Sequence, residues 1–184
     1  MAEMPDDLPI RPQFIVPDPD FEAPTLEGTV EGWRAWSVST RMLYGVPPKL
    51  YSVTARRIAG GYWPPRQGNE AHCDKCGENL PGERCACGFY SAKTLRHLMK
   101  LGYHLYSTED GSTGSVKVVG QVANWGKVIE GTQGWRSQFS YPIRLYVPFE
   151  AAHLAGPLKK AYGCRVKLLN FLKQAGQVDQ QGIL

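Results

Sequence analysis

The residues with the clearest chemical potential are the cysteines. Four of the five cysteines lie between positions 73 and 87, in the pattern C-x2-C-x8-C-x-C. Zinc in proteins prefers four tetrahedral ligands, and a C-x2-C turn supplies two of them at once. This density of cysteines favours a metal over disulfides, because the first seven residues carry three acids and no base, unlike a secretory signal. We therefore expect one structural zinc ion held by Cys73, Cys76, Cys85 and Cys87.

Two details of the cysteine pattern leave alternatives open. The second pair is C-x-C rather than C-x2-C, and His72 directly precedes the first cysteine, so His72 could replace one thiol as a ligand. A disulfide or a set of free thiols is the other interpretation. Four cysteine ligands would leave no coordination position for water, which is typical of a structural zinc site. The fifth cysteine, Cys164, is expected to be a small packing residue in the terminal helix.

No catalytic motif accompanies the cysteines. The sequence contains no Walker loop, dinucleotide-binding fingerprint, HExxH or GxSxG motif, and it lacks the H-x-E and P-C-x-x-C of a zinc deaminase. The isolated residues His97, His104 and His153 assemble no Ser/His/Asp or Cys/His arrangement. We expect a non-enzymatic protein, and an enzyme with an active site outside these motifs is the alternative.

Charge is unevenly distributed along the 184 residues. Residues 1–30 contain seven acids, one base and six prolines, so their net charge is −6. Proline at this density removes backbone donors and fixes φ, which predicts an extended acidic arm that is disordered when free. Residues 31–184 hold the other 20 bases and ten acids, a net charge of +10. The arm is expected either to compete with a polyanion for the basic body or to dock on a neighbouring subunit.

A body with this positive charge attracts polyanions, because it raises encounter rates and releases counterions from phosphates. We predict association with DNA or RNA, mainly through backbone phosphates; basic residues scattered only for solubility are the alternative. Tyr62 and Trp63, in the loop-like GGYWPPRQG, are candidates to stack on bases, whereas most other aromatic rings are expected in the core. The candidate phosphate contacts are Arg34, Arg56, Arg57, Arg66, Lys93, Arg96 and Arg136.

Short strands separated by glycine and proline turns predict a twisted antiparallel sheet or partial β-barrel. Two segments resemble each other, EGTVEGWRAWSVSTRMLYGVP at 27–47 and EGTQGWRSQFSYPIRLYVP at 130–148. In both segments, apolar and polar residues alternate as in a strand after a Gly-Trp-Arg triplet. This pattern indicates either a duplicated β-hairpin or two strands that are similar by chance. Further strands are expected at 50–58 and 116–129, where Gly120 and Gly126 mark bulges or points of close approach.

Two helices are expected to complete an α+β fold with a zinc-pinned loop. Ser91 is a candidate cap for a helix over 92–101. Pro157 begins a second, amphipathic helix over 157–176, whose outer surface is basic. The predicted organisation is an acidic proline-rich arm (1–30), a β-rich zinc-containing domain (31–156), this helix packed on it (157–176) and a tail (177–184).

Three motifs within residues 30–148 are specific as a set: GWRAW, CxCGFY and WGKVIEGTQGWRSQFSYP. Proteins of actinobacteria and their phages show a similar order of GxRAW, CxCGxYA and WGxV…GxRAxxAYP, so the chain resembles this family. Ser91 stands where the family has alanine. The family carries no established activity, and the resemblance implies a shared fold and a phage or prophage origin but no catalytic residue.

The sequence therefore predicts a zinc-stabilised, non-enzymatic binding protein that is nucleic-acid-associated or regulatory. The alternative is a protein-interaction or virion assembly protein whose N-terminal arm docks on a host or phage protein. No apolar stretch approaches the about 20 residues that span a bilayer. We accordingly expect no membrane partner and a cytoplasmic or virion-associated location.

Overall fold

The structure is a computed structural model that describes residues 28–40, 46–53, 61–77, 80–101 and 114–169. The predicted tail and all but the last three residues of the predicted acidic arm lie outside these ranges. The elements in chain order are β1 (Val30–Ser39), β2 (Leu50–Ser52), β3 (Tyr62–Trp63), β4 (Asn69–Glu70), β5 (Phe89–Ala92), α1 (Leu95–Lys100), β6 (Ser115–Glu130), β7 (Gly134–Pro148), a 3-10 helix (Phe149–Leu154), α2 (Ala155–Tyr162) and β8 (Arg165–Leu169).

The sheet is built around a long antiparallel hairpin of β6 and β7. β1 pairs with β6 along its whole length, and β5 pairs with both β1 and β7. β2 and β3 continue the sheet beyond β1, and β4 pairs with β7. The predicted α+β fold with two helices is confirmed. The prediction of a wholly antiparallel sheet is wrong, because β8 runs parallel to β7 and makes the sheet mixed. The partial barrel stays a prediction.

The predicted strands map onto this sheet with one shortening. The strand expected at 116–129 is confirmed within β6, and the first and second copies of the repeated segment supply β1 and β7. Of the strand expected at 50–58, only β2 is regular; Val53 follows in a turn, and residues 54–60 lie outside the described ranges.

Alternation along β1 distributes its side chains between two hydrophobic clusters, since successive residues of a strand face opposite sides. Trp36 and Val38 are fully buried in the larger cluster, together with residues of the 3-10 helix and α2. Ala35 lies in the smaller cluster with Leu98 of α1 and Tyr146 of β7. Burial of these apolar side chains is the main term that stabilises the sheet.

Two glycines shape β6 as the sequence predicts. A Cβ at Gly120 would lie 2.2 Å from the carbonyl oxygen of Arg144 on β7, so the two strands approach more closely than any side chain permits. Gly126 has a φ of +72° and lies within a β-bulge, where the β6–β7 register shifts between Trp125 and Val128.

Two buried tyrosines tie the sheet to the C-terminal elements. The Tyr162 hydroxyl accepts a hydrogen bond from the Leu50 N–H at 2.8 Å and donates one to the Trp63 carbonyl at 2.8 Å. The Tyr141 hydroxyl accepts from the Arg66 N–H and donates to the Tyr162 carbonyl, both at 2.8 Å. Each hydroxyl therefore uses its proton and a lone pair, which a buried polar group requires.

The helix predicted over 157–176 is wrong for residues 163–169, and residues 170–176 lie outside the described ranges. Gly163 adopts the left-handed conformation with a φ of 65°, and its N–H donates to the Lys159 carbonyl at 3.0 Å, which ends α2. The chain then turns back as β8 along the edge of β7. Cys164 is a buried packing residue between α2 and β8, as its type predicts, but it does not lie in a helix.

The helix predicted over 92–101 begins later than expected. Thr94 rather than Ser91 caps α1, since its side chain accepts the His97 N–H at 3.1 Å. Ser91 instead lies in β5, where its hydroxyl accepts from the Asn124 amide at 3.0 Å. Among the helices of the described ranges, none combines the length and the apolar character needed to cross a membrane.

Tyr162→Phe should lower the free energy of unfolding by about 1–3 kcal/mol, because the buried Leu50 N–H and Trp63 carbonyl would each lose a partner. Urea denaturation measures this change. Tyr51→Phe is the matched control, since Tyr51 is exposed, and it should change stability by less than about 0.5 kcal/mol. Equal effects of the two substitutions would contradict the assigned role of Tyr162.

Candidate metal centre

The cysteines lie in the loop between β4 and β5, and two tight turns shape it. In the first turn, the Cys73 carbonyl accepts hydrogen bonds from the N–H groups of Cys76 and Gly77, both at 3.2 Å. In the second, the Gly82 carbonyl accepts from the Cys85 N–H at 3.1 Å. The turns place one cysteine pair opposite the other.

All four sulfur atoms of Cys73, Cys76, Cys85 and Cys87 lie within 4.8 Å of one another. The Cys73 and Cys85 sulfurs are 3.8 Å apart, and those of Cys76 and Cys87 are 3.6 Å apart. Four sulfurs at about 2.3 Å from a central zinc ion form a tetrahedron with edges of about 3.8 Å. The separations exceed the about 2.05 Å of a disulfide bond, and all four thiols are free. The four-cysteine cluster is therefore a site that could hold a metal ion.

His72 does not join this cluster. Its side chain is almost fully exposed, and its Nε2 lies 2.9 Å from a carboxylate oxygen of Asp74. The ligand set that the structure brings together consists of the four cysteines, without the imidazole that the sequence left as an alternative.

Position 82 needs a glycine, because the cysteine sulfurs leave no room for a side chain there. A Cβ at this position would lie 2.6 Å from the Cys76 sulfur, so a side chain would displace a candidate ligand. The Gly82 N–H lies 3.3 Å from the Cys87 sulfur and donates a hydrogen bond to it. Such a donor stabilises the thiolate form that binds a metal.

Arg136 of β7 fastens the cysteine loop to the sheet. Its Nη1 donates to the carbonyl oxygens of Gly82 at 3.3 Å, Cys87 at 3.2 Å and Cys85. A guanidinium is a fixed fork of donors, which suits several carbonyls converging on one side. Its positive charge also offsets the negative charge that four thiolates would bring. The sequence marked Arg136 as a phosphate contact and gave no signal of this inward role.

Arg34, the residue that matches Arg136 in the repeated segment, also binds within the protein. It donates to the Tyr90 carbonyl and, at 2.9 Å, to the Ser52 hydroxyl. Its guanidinium lies 4.9 Å from the centroid of the Trp63 ring. The Tyr90 hydroxyl in turn donates to the Ala86 carbonyl at 2.9 Å. Arg34 thus supports the cysteine loop through Tyr90.

The remaining candidate contacts are dispersed. Arg66 donates to the Lys160 carbonyl at 3.1 Å, and Lys93 forms an ion pair of 2.5 Å with Glu130. Arg96 is exposed on α1, whereas Arg56 and Arg57 lie outside the described ranges.

The structure contradicts the base-stacking role predicted for Trp63. Its side chain is 1% exposed and packs edge-on against Trp36 and Phe89. A base needs an open ring face, and both neighbours occupy the space around this ring. Tyr62 is half-buried, and its ring centroid lies 5.8 Å from that of Tyr51.

One of the clustered thiols, that of Cys76, has a raised pKa. Burial is the largest cause, hydrogen bonds with Cys87, Cys85 and Cys73 act in the same direction, and together they raise the pKa to about 12. A coordinating thiol is deprotonated outright, so metal binding must release protons and strengthen as the pH rises. Burial also raises the pKa of Cys164 to about 12, which keeps that thiol protonated and inert.

No family model matches the chain, and no significant match was found among curated proteins or solved structures. The chemistry of the site therefore rests on its own geometry.

Arg136→Gln should weaken metal binding by about tenfold or more, because the loop carbonyls would lose the donor that positions the cysteines. Competition with a chromogenic chelator measures this affinity. Arg165→Gln removes an equal charge from an exposed position on β8 and should leave the affinity unchanged. Unaltered metal binding in Arg136→Gln would contradict the assigned role.

Proposed function

We propose that the protein is a non-enzymatic binding protein whose four clustered cysteines hold one structural zinc ion. The observation that carries the proposal is the convergence of four sulfurs within 4.8 Å, two of whose separations, 3.8 and 3.6 Å, suit a zinc tetrahedron. Thiolates are soft ligands, and a tetrahedral set of four sulfurs is typical of zinc or of an iron–sulfur site. Four protein ligands close the coordination sphere, which favours a structural over a catalytic role.

The position of the cluster supports this structural role. The loop joins β4 to β5, and both strands pair with the same edge of β7. A bound ion would fix the path of the chain between these two short strands. Short strands contribute few ladder hydrogen bonds, so a cross-link at this point adds stability that the strands by themselves lack.

The purified protein should contain about one zinc ion per chain, and Cys73→Ser or Cys85→Ser should lose both the ion and the cooperative thermal transition. Elemental analysis and circular dichroism measure these outcomes. Cys164→Ala is the matched control, since this cysteine lies outside the cluster and should retain the zinc. A metal-free chain with an unchanged melting temperature would refute the structural zinc. Iron in place of zinc would refute only the choice of metal.

We further propose that the partner is the phosphate backbone of DNA or RNA. The net charge of +10 over residues 31–184 supports an anionic partner. Because Arg34 and Arg136 bind inward, the contacts are better assigned to another set, the basic segment, which consists of Lys159, Lys160, Arg165 and Lys167 on α2 and β8. All four are exposed, and no acid occurs between positions 151 and 169.

Replacing Lys159 and Lys160 together by Gln should weaken binding to a 30-base-pair DNA duplex and lower the slope of log affinity against log salt by about 2, since each phosphate contact contributes about 0.9. Fluorescence anisotropy across a salt series measures the slope. The control replaces Lys75 and Lys100, two exposed lysines elsewhere, with the same change in net charge. Equal losses of affinity in the two double variants would show that DNA binding depends on total charge rather than on the basic segment. An affinity for the duplex that does not depend on salt concentration would refute the nucleic-acid partner.

A further inference from the structure

A line of polar side chains crosses one face of the sheet from β6 to β8. Gln121 of β6 pairs in register with Arg144 of β7, and Arg144 pairs in register with Arg165 of β8. Residues paired in register project to the same face of a sheet, and neighbouring strands lie about 4.8 Å apart. An amide and two guanidinium groups therefore lie side by side. We call these three residues the arginine row.

The arginine row lies on the face of the sheet that carries the smaller hydrophobic cluster. Leu145 and Val166, which follow Arg144 and Arg165 in the chain, pack in the larger cluster or against it. Since successive residues of a strand face opposite sides, both arginines point away from the larger cluster. Arg144 is half-buried beside Tyr146 of the smaller cluster, whereas Arg165 is exposed. The row therefore opens to solvent at its β8 end.

Most hydrogen-bond donors of the arginine row are unused. Within the described ranges, the Arg144 side chain makes one hydrogen bond, a long one of 3.5 Å from Nη1 to the Tyr146 hydroxyl, and its Nε is buried without a partner. The side chains of Gln121 and Arg165 take part in no hydrogen bond or ion pair with this part of the chain. Donors held at a half-buried position normally meet an acceptor from the protein, from water or from a ligand.

No carboxylate forms an ion pair with the arginine row in the part of the chain that the structure describes. The acids on β1, β6, β7 and β8 are Glu31 and Glu130 alone. Glu130 lies nine residues along β6 from Gln121, a distance of about 30 Å, and Glu31 lies on β1, which β6 separates from β7. Lys167 adds a third positive charge two residues beyond Arg165. Adjacent positive charges repel one another, and an anion bound between them would relieve this repulsion.

We propose that Arg144 and Arg165 together hold a phosphate group, and that the carrier of this phosphate is the nucleic acid proposed above. A guanidinium presents parallel N–H donors that match two oxygens of a phosphate, and here two guanidiniums approach from neighbouring strands. Gln121 adds an amide donor at the β6 end of the row. The choice of carrier rests on the proposed function, whereas the site rests on the strand register and on the unused donors.

Inorganic phosphate tests the site without nucleic acid. In proton–nitrogen correlation spectra of the full-length, zinc-loaded protein, the Nε–H signals of Arg144 and Arg165 are assigned by their loss in Arg144→Lys and Arg165→Lys. We expect both signals to shift saturably with millimolar phosphate. The signal of Arg84, an exposed arginine of the cysteine loop, should not shift, and sodium chloride at equal ionic strength should shift none of the three. Absence of phosphate-specific shifts at Arg144 and Arg165 would refute the site.

Fluorescence anisotropy with the DNA duplex tests the carrier. Arg144→Gln should weaken binding by about tenfold and lower the slope of log affinity against log salt by about 1, since one phosphate contact is lost. Arg84→Gln removes the same charge from the cysteine loop and should retain the affinity and the slope of the wild type. Arg144→Lys keeps the charge without the planar fork of donors, so it should bind more weakly with an unchanged slope.

Two charge-matched glutamine variants test the row from its β6 end. Gln121→Glu would supply Arg144 with a neighbouring carboxylate that competes with phosphate, so binding of phosphate and of the duplex should weaken by about fivefold or more. Gln133→Glu makes the same change in net charge in the turn between β6 and β7, at an exposed position, and should bind as the wild type does. Equal binding by the two variants would contradict the placement of the anion beside Arg144.

Failure of this inference and failure of the proposed function give different results. Phosphate shifts at both arginines without any binding of the duplex would overturn the nucleic-acid carrier and leave the site as one for a smaller phosphate compound. Binding of the duplex without those shifts, and with equal affinities in Arg144→Gln and Arg84→Gln, would overturn the site and leave the proposed function standing. Melting curves and zinc content of every variant separate these results from loss of the fold.

Discussion

The confinement of four thiols within 4.8 Å is the constraint around which this part of the molecule is organised. Burial, and then hydrogen bonds with the other three thiols, raise the pKa of Cys76. A bound cation would replace the thiol protons with one central charge. The surrounding backbone is arranged for this geometry, since Gly82 leaves room for the Cys76 sulfur and donates to the Cys87 sulfur.

Arg34 and Arg136, the arginines of the two repeated triplets, connect the cysteine loop to the sheet. Arg136 collects three loop carbonyls from β7, and Arg34 binds the Tyr90 carbonyl from β1. β5 lies between these strands and pairs with both, so the repeated Gly-Trp-Arg triplets flank it on either side. This three-strand unit thus supports the cysteine loop through both arginines.

Hydrogen bonds among the buried polar groups explain why the sheet tolerates polar residues in its core. Asn124 is fully buried, yet its amide donates to the Val30 carbonyl and the Ser91 hydroxyl, and its oxygen accepts from Ser137 and Ser140. Tyr141 and Tyr162 are satisfied in the same complete way. These hydrogen bonds join several strands and fix their register, because a slip would leave several buried groups unpaired.

The sequence by itself determined the local features of this protein. The four candidate ligands followed from cysteine spacing, the strands from period-2 alternation, and the roles of Gly120 and Gly126 from the lack of a side chain, because each depends on neighbours close in the chain. It misjudged the region after Tyr162, where apolar spacing suited a helix but the left-handed Gly163 ends it and β8 finds a parallel partner in β7. Only the tertiary structure decided which charges face inward. Arg34 and Arg136 were indistinguishable from surface bases in the sequence, since the carbonyls of Tyr90 and Cys85 that they bind lie about 50 residues away and every residue possesses a backbone carbonyl.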